Sequence, residues 1–249
     1  MPQLILSLPF VMVLIAYLVA VVTSNRRNKL CPMYRTAFWV TGVFCAVAAV
    51  AGPLADRARM DFTTHMLGHL FLGMAAPLLM VLAAPVTLIL RSLNVSSARR
   101  FSLFLRSWPI RIISDPIVAS TLNVGGLWVL YTTNLYTAMQ QNMLLHMAVQ
   151  IHVFFAGYLF TVSMISIDPT PHRTSFVYRA VVLVTALAGH GILSKTIYAK
   201  PPACVPAAEA ETGGMLMYYG GDAIELLFIF ILCLQWFIAT RPRAKVDRG

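Results

Sequence analysis

Residues 62–90 read FTTHMLGHLFLGMAAPLLMVLAAPVTLIL, an apolar run that carries two histidines, His65 and His69, near its start. A helix needs about 20 predominantly apolar residues to cross a bilayer, and this run exceeds that. Residues 3–23, 36–55, 115–134, 139–165, 177–197 and 215–238 read the same way, so seven transmembrane helices are expected. Hydrocarbon leaves every backbone amide to find an internal partner, which selects helices here; a β-barrel would show short alternating segments instead. With 59% hydrophobic residues, 11% charged residues and a mean hydropathy of +0.75, a soluble α/β or all-β domain is excluded. The expected fold class is therefore all-α, a polytopic membrane protein with one seven-helix domain over residues 1–249. The longest connection, Arg91 to Ser114, is too short and too basic for a second domain. The first run lacks a preceding Lys or Arg and is followed by Asn25-Arg26-Arg27-Asn28-Lys29, the reverse of a cleavable signal, so it reads as a retained span.

Basic residues orient these spans. Arg26, Arg27, Lys29 and Arg35 follow span one; Arg91, Arg99, Arg100, Arg106 and Arg111 follow span three; Arg173 and Arg179 follow span five; Arg241, Arg243, Lys245 and Arg248 form the tail. In a seven-span bundle these 15 of 19 basic residues share one side, leaving Arg57, Arg59, Lys195 and Lys200 on the other. The positive-inside tendency then puts the N-terminus outside and the C-terminus in the cytoplasm. The net charge of +10 is thus a topology signal with an attraction to the lipid bilayer. It is no nucleic-acid footprint, because no aromatic-flanked basic groove accompanies it.

Five of the six histidines, His65, His69, His146, His152 and His190, lie inside the spans, and only His172 sits in a loop. Imidazole in hydrocarbon must find partners within the bundle, so each is a functional candidate. At ~1.5 Å per residue, His69, His146 and His190 come from three helices to one layer roughly 10 Å below the outer surface. They are expected to converge on one ion, with His65 or Asp222 completing or guarding the site. Glu225 follows Asp222 on the same helical face. His152 lies about 240° round the helix from His146 and ~9 Å deeper, so it need not share that ion. Any one of these rings is as readily a hydrogen-bonded packing residue; the bias of the set to one leaflet points to function. Imidazole ligates copper, zinc and iron, and methionine thioethers favour Cu(I). Met66, Met143, Met147, Met215 and Met217 lie nearby, though each reads more readily as filler.

Cys31, Cys45, Cys204 and Cys233 form no CxxC pair, so neither a disulfide nor a thiolate clip is indicated; Cys204 is a candidate transient thiol ligand in an outer loop. No Walker, Rossmann, HExxH or GxSxG pattern occurs, so hydrolase and nucleotide chemistry lack support. Asp115-Pro116 reads as a helix cap, Asp168-Pro169-Thr170-Pro171 as an extended turn, and Gly213-Gly214 and Gly220-Gly221 as places for close helix approach or a local break.

The blocks His65-Met66-Leu67-Gly68-His69-Leu70, Gly73-Met74-Ala75-Ala76-Pro77-Leu78 and Ala84-Pro85-Val86-Thr87 resemble the CtaG-like family of bacterial cytochrome c oxidase assembly factors. The likeness continues in order through His146, His152 with Phe154 and Gly157-Tyr158-Leu159-Phe160, Asp168-Pro169, Arg179, His190-Gly191, Gly213-Gly214, Met217 and Gly220 to Asp222. It departs at Gln150, where the family often has another histidine, at Glu209 for an expected Asp, and at Tyr218 for a common Trp. The resemblance implies a role in maturing haem–copper oxidases, with copper as Cu(I) handled for the oxidase and no catalysed reaction. The implied partners are cytochrome c oxidase subunits and a periplasmic copper chaperone, and the implied location is the bacterial inner (plasma) membrane. The competing readings are a copper or other metal-ion transporter, a haem-handling membrane protein and, remotely, a seven-span sensor. A conducting path needs polar stations in both leaflets, and the inner half offers no intramembrane histidine, which favours a one-sided site.

Overall fold

Short polar side chains decide where the apolar runs become helix. Asp61 accepts from the amides of Thr63 (3.3 Å) and Thr64 (2.7 Å), Asn142 from Leu144 (3.0 Å) and Leu145 (3.2 Å), and Asp115 from Ile117 (2.9 Å). Each satisfies amides that the first turn of a helix leaves without partners. Burial would raise the Asp61 carboxyl pKa, but hydrogen bonds from Thr64 and Thr63 outweigh it and hold the group below its ordinary value.

The computed structural model describes residues 2–26, 30–169 and 172–241, and every regular element among them is helical. In chain order these are α1 (Pro2–Arg26), α2 (Met33–Val50), α3 (Pro53–Arg57), α4 (Phe62–Leu82), α5 (Pro85–Ser92), α6 (Val95–Leu105), α7 (Trp108–Ile113), α8 (116–132), α9 (Leu135–Gln141), α10 (Met143–Met164), α11 (Phe176–Ala199) and α12 (Ala207–Thr240). Both α4 and α8 contain a π-helical turn, at Leu70–Ala75 and Thr121–Gly125. Of the expected positions, Arg27, Lys29, Thr170, Pro171, Arg243, Lys245 and Arg248 lie outside the described residues.

Six helices among the described residues are long and apolar enough to cross a membrane: Gln3–Arg26, Met33–Arg57, Phe62–Leu82, Met143–Met164, Phe176–Ala199 and Ala207–Thr240. The run at 115–134 forms α8, built of helical pieces of 5, 5 and 7 residues, which at ~1.5 Å per residue falls short of a ~30 Å hydrocarbon core. The run read as 62–90 stops at Leu82, because Ala84 adopts a left-handed conformation (φ 52°, ψ 59°) and Pro85 opens α5. Proline disfavours the helical conformation at the residue before it, and Ala84 leaves the helix in the left-handed region. The Asp168 carboxylate then caps α5, accepting from the amides of Val86 (3.0 Å) and Thr87 (2.7 Å).

Helix α4 is the core of the bundle: 61% of its apolar window is buried, against 11% for α1 and for α12, whose outer faces present bare aliphatic side chains. It packs against α2, α10 and α12. Its π turn brings the Gly73 carbonyl hard against Gly157 of α10, where any Cβ would collide with that backbone, so only glycine permits this crossing. α12 runs unbroken through both of its glycine pairs, which serve close approach and no break.

Side-chain bonds define two ends of the bundle. At one, Gln3 donates to Asp56 (2.6 Å), the Phe62 amide to Glu209 (2.8 Å) and the Thr137 hydroxyl to the Ala203 carbonyl (3.2 Å); Cys204 is there too. At the other, the Tyr178 hydroxyl donates to Asp115 (3.1 Å) and buried Arg179 donates to the Met164 carbonyl (2.9 Å) and Ser166 (3.1 Å), with its guanidinium 4.5 Å over the Phe176 ring. These are called the Cys204 end and the Asp168 end below.

Candidate functional site

His69 leaves α4 at the start of the π turn, and His190 leaves α11 opposite it; their ring centres are 6.2 Å apart with planes inclined by 37°. His69 is only 6% exposed, and neither of its ring nitrogens has a hydrogen-bond partner among the described residues. His190 Nδ1 lies 2.9 Å from Glu225 Oε1 on α12, while its Nε2 is buried and likewise without a partner. A carboxylate holding one imidazole nitrogen fixes the ring and turns the other nitrogen's lone pair outward, the arrangement that supports metal-ligating histidines. Helix packing makes the room: a Cβ on Gly221 would lie 2.6 Å from His190 Cε1, so the ring occupies space that only glycine leaves.

Both rings line a cavity of about 20 Å³, also lined by Glu225, Asn123 and Thr161, which suits a water-sized species. Towards the Asp168 end it is floored by Phe160, Leu183, Ala186 and Phe228 of an apolar cluster. On the other side, His69 also lines a smaller cavity of about 10 Å³ with His65, Tyr131 and Gln150. His65 Nε2 is 3.0 Å from the Tyr131 hydroxyl, and its ring packs against Phe62 (6.0 Å) and Tyr136 (5.1 Å).

The remaining candidates are placed elsewhere. His146 is half-buried on α10 and lines neither cavity. His152 is exposed and its Nε2 lies 3.1 Å from the Leu122 carbonyl, which also accepts from the Gly126 amide at the end of the π turn of α8. Asp222 is half-buried, and the carboxylate that meets a histidine is Glu225. Among the described residues no group of three His, Cys, Asp or Glu side chains is arranged to hold one metal ion. Of the three rings expected to converge, the structure thus brings His69 and His190 together.

Two contributors were not singled out in the sequence. Glu225 lies on the face of Asp222, three residues further along α12; the available signal was Gly221, one turn before Glu225, which clears space on that face for a ring. Tyr131 carries no spacing signal, since its partnership with His65 joins α8 to α4 across the bundle.

Residues 15–239 match the family described as cytochrome c oxidase caa3 assembly factor (Caa3_CtaG). Among curated proteins, the chain is similar to one from Mycobacterium leprae described as uncharacterized, 24% identical over 89% of this chain and 37% of the relative. Proteins described in the same way from Mycobacterium bovis and Mycobacterium tuberculosis are each 30% identical over 96% of this chain and 39% of theirs. The chain thus spans about two fifths of the length of these relatives. No solved structure matches it.

Proposed function

The chain belongs to the cytochrome c oxidase caa3 assembly factor family, and on that premise we propose that it serves oxidase maturation by holding copper, as cargo, between His69 and His190. The observation that carries this reading is the set of three buried ring nitrogens without partners among the described residues, two on His69 and one on His190, on rings that line one water-sized cavity. Two imidazoles bound end-on to one ion stand roughly 6 Å apart by ring centre, given metal–nitrogen bonds of ~2.0 Å, and these rings are 6.2 Å apart. Cu(I) accepts two nitrogen ligands readily, and a site with few ligands and no thiolate cage releases its ion to a better-furnished acceptor. Glu225 holds His190 in the ligating tautomer and balances the ion's charge. His65 and Asp222 stand as flanking residues, and His146 and His152 lie outside the pair.

We read α8 as a seventh, thinner crossing, the N-terminus as outward and the Asp168 end as cytoplasmic, in a bacterial inner membrane. Supporting this, Arg91, Arg99, Arg100, Arg106, Arg111 and Arg173 follow helices that run towards the Asp168 end. The site is then served from the outer side, where a periplasmic copper chaperone would load it and an oxidase subunit unload it. A cavity of about 20 Å³ speaks against haem, and its apolar floor speaks against a conducting transporter. The role is carriage without catalysis.

The test is genetic. Deleting the gene is expected to lower haem–copper oxidase activity with oxidase haem retained, and His69→Ala or His190→Ala at normal membrane abundance is expected not to complement. Full oxidase activity in the deletion strain under copper limitation, with altered cellular copper, would transfer the reading to a transporter.

A further inference from the structure

The metal pair lies inside the bundle, so an ion needs a way in. Resting on the copper reading above, we propose that the cavity at the Cys204 end is the loading port for a soft monovalent cation, and that Phe62, Tyr136, Tyr131 and His65 form the gate between this port and His69.

The port has a volume of about 230 Å³ and is lined by Met60, Cys204, Glu209, Arg59, Tyr136 and Gln140, among others. Met60 is 90% exposed and Cys204 is a free, exposed thiol, so the cavity offers two sulfur donors to arriving ions. Arg59 and Glu209 offset each other's charge, and recognition falls to the sulfurs, which favour Cu(I) or Ag(I) over hard cations such as Mg²⁺ or Ca²⁺.

The inner wall of the port is formed by Phe62 and Tyr136, whose ring centres are 5.4 Å apart. Both also pack on His65, so the ring that backs the port is itself an imidazole. Behind it, His65 and His69 share the cavity of about 10 Å³, and His69 lines the next one with His190. Ring contacts of Phe62 and Tyr136 with His65 thus join the port to the first inner cavity, and His69 joins that cavity to the metal pair. His69 is the destination that this line points to, a buried side chain with both nitrogens unpartnered and a cavity on either side. The gate is shut in this conformation: the Tyr131 hydroxyl engages His65 Nε2 at 3.0 Å. Turning Tyr131 away frees that nitrogen to receive the ion and pass it one helical turn along α4 to His69.

A route alters rates in both directions equally and leaves the equilibrium alone, whereas a ligand alters the equilibrium. The experiment is stopped-flow and equilibrium binding of Ag⁺, a redox-inert stand-in for Cu⁺, to the full-length protein in nanodiscs. The double variant Met60→Ala with Cys204→Ser is expected to slow association and dissociation by one common factor, with Kd unchanged; both sites are exposed, and an unchanged Kd certifies the fold. Tyr131→Phe is expected to speed both rates, again at constant Kd, and His69→Ala to weaken Kd. Wild-type rates in the double variant would overturn the port, and tighter binding in Tyr131→Phe would make His65 a ligand and overturn the gate. A wild-type protein that binds no Ag⁺ would sink the copper reading itself, and the route with it.

Discussion

Gly221→Ala is the sharpest probe of the site, because it adds one methyl group whose nearest neighbours are atoms of His190. A Cβ there lies 2.6 Å from His190 Cε1 and 3.2 Å from Nδ1, where ordinary contact begins near 3.4 Å. The ring must retreat by roughly 0.8 Å, beyond the ~0.5 Å within which a binding constellation keeps its geometry. Position 221 is mid-helix, so alanine gains about 0.8–1 kcal/mol in helix propensity. Overpacking costs ~1–3 kcal/mol, and the net effect on stability falls between neutral and about 2 kcal/mol of loss. Affinity for Cu(I) should suffer more than stability, by at least about tenfold, or ~1.4 kcal/mol. The assay is competition against a Cu(I) chelator, run beside thermal unfolding in detergent. Gly191→Ala is the control: its Cβ would meet Tyr218 Cε2 at 3.5 Å, an ordinary contact, and affinity should hold. Full affinity in Gly221→Ala would show that the position of His190 does not matter to the ion and would refute the reasoning.

Glu225→Gln keeps the shape but removes the carboxylate from His190 Nδ1, and Cu(I) affinity should fall by about 10–100-fold, as for other partners of ligating histidines, in the same competition assay. His152→Ala should leave Cu(I) binding intact while uncovering the α8 backbone at Leu122 and Gly126, read as faster amide exchange around the π turn of α8; lost copper binding would return His152 to the site. Asp61→Ala removes the cap of α4 and should cost about 0.5–2 kcal/mol in denaturant unfolding. Because the folded Asp61 carboxyl is held below its ordinary value, its contribution is complete above the unfolded pKa of about 3.9 and is lost as pH falls through the lower folded value. Wild type should therefore lose its advantage over Asp61→Ala only in that acid range, and an equal difference at all pH would contradict the cap.

Depth along a helix is legible in sequence, and rotation about its axis is not. Counting residues brought His69 and His190 to one layer, and their rings do meet; the same count included His146, which lines neither cavity, because nothing in α10 alone says which way that ring turns. Glu225 over Asp222 is likewise a choice of rotation. The break at Ala84 had a signal, since Pro85 disfavours helix at the residue before it, but continuous apolarity to Leu90 masked it. The contact of His152 with the Leu122 carbonyl was not legible, because it joins α10 to α8 across the bundle.

The central claim is that one copper ion sits between His69 and His190. X-ray absorption of Cu(I)-loaded protein, with metal stoichiometry, tests it most directly. One Cu(I) per chain is predicted, with imidazole scattering from two nitrogens at ~2.0 Å, abolished in the His69→Ala, His190→Ala double variant. Sulfur-dominated coordination, or undiminished copper in the double variant, would contradict it.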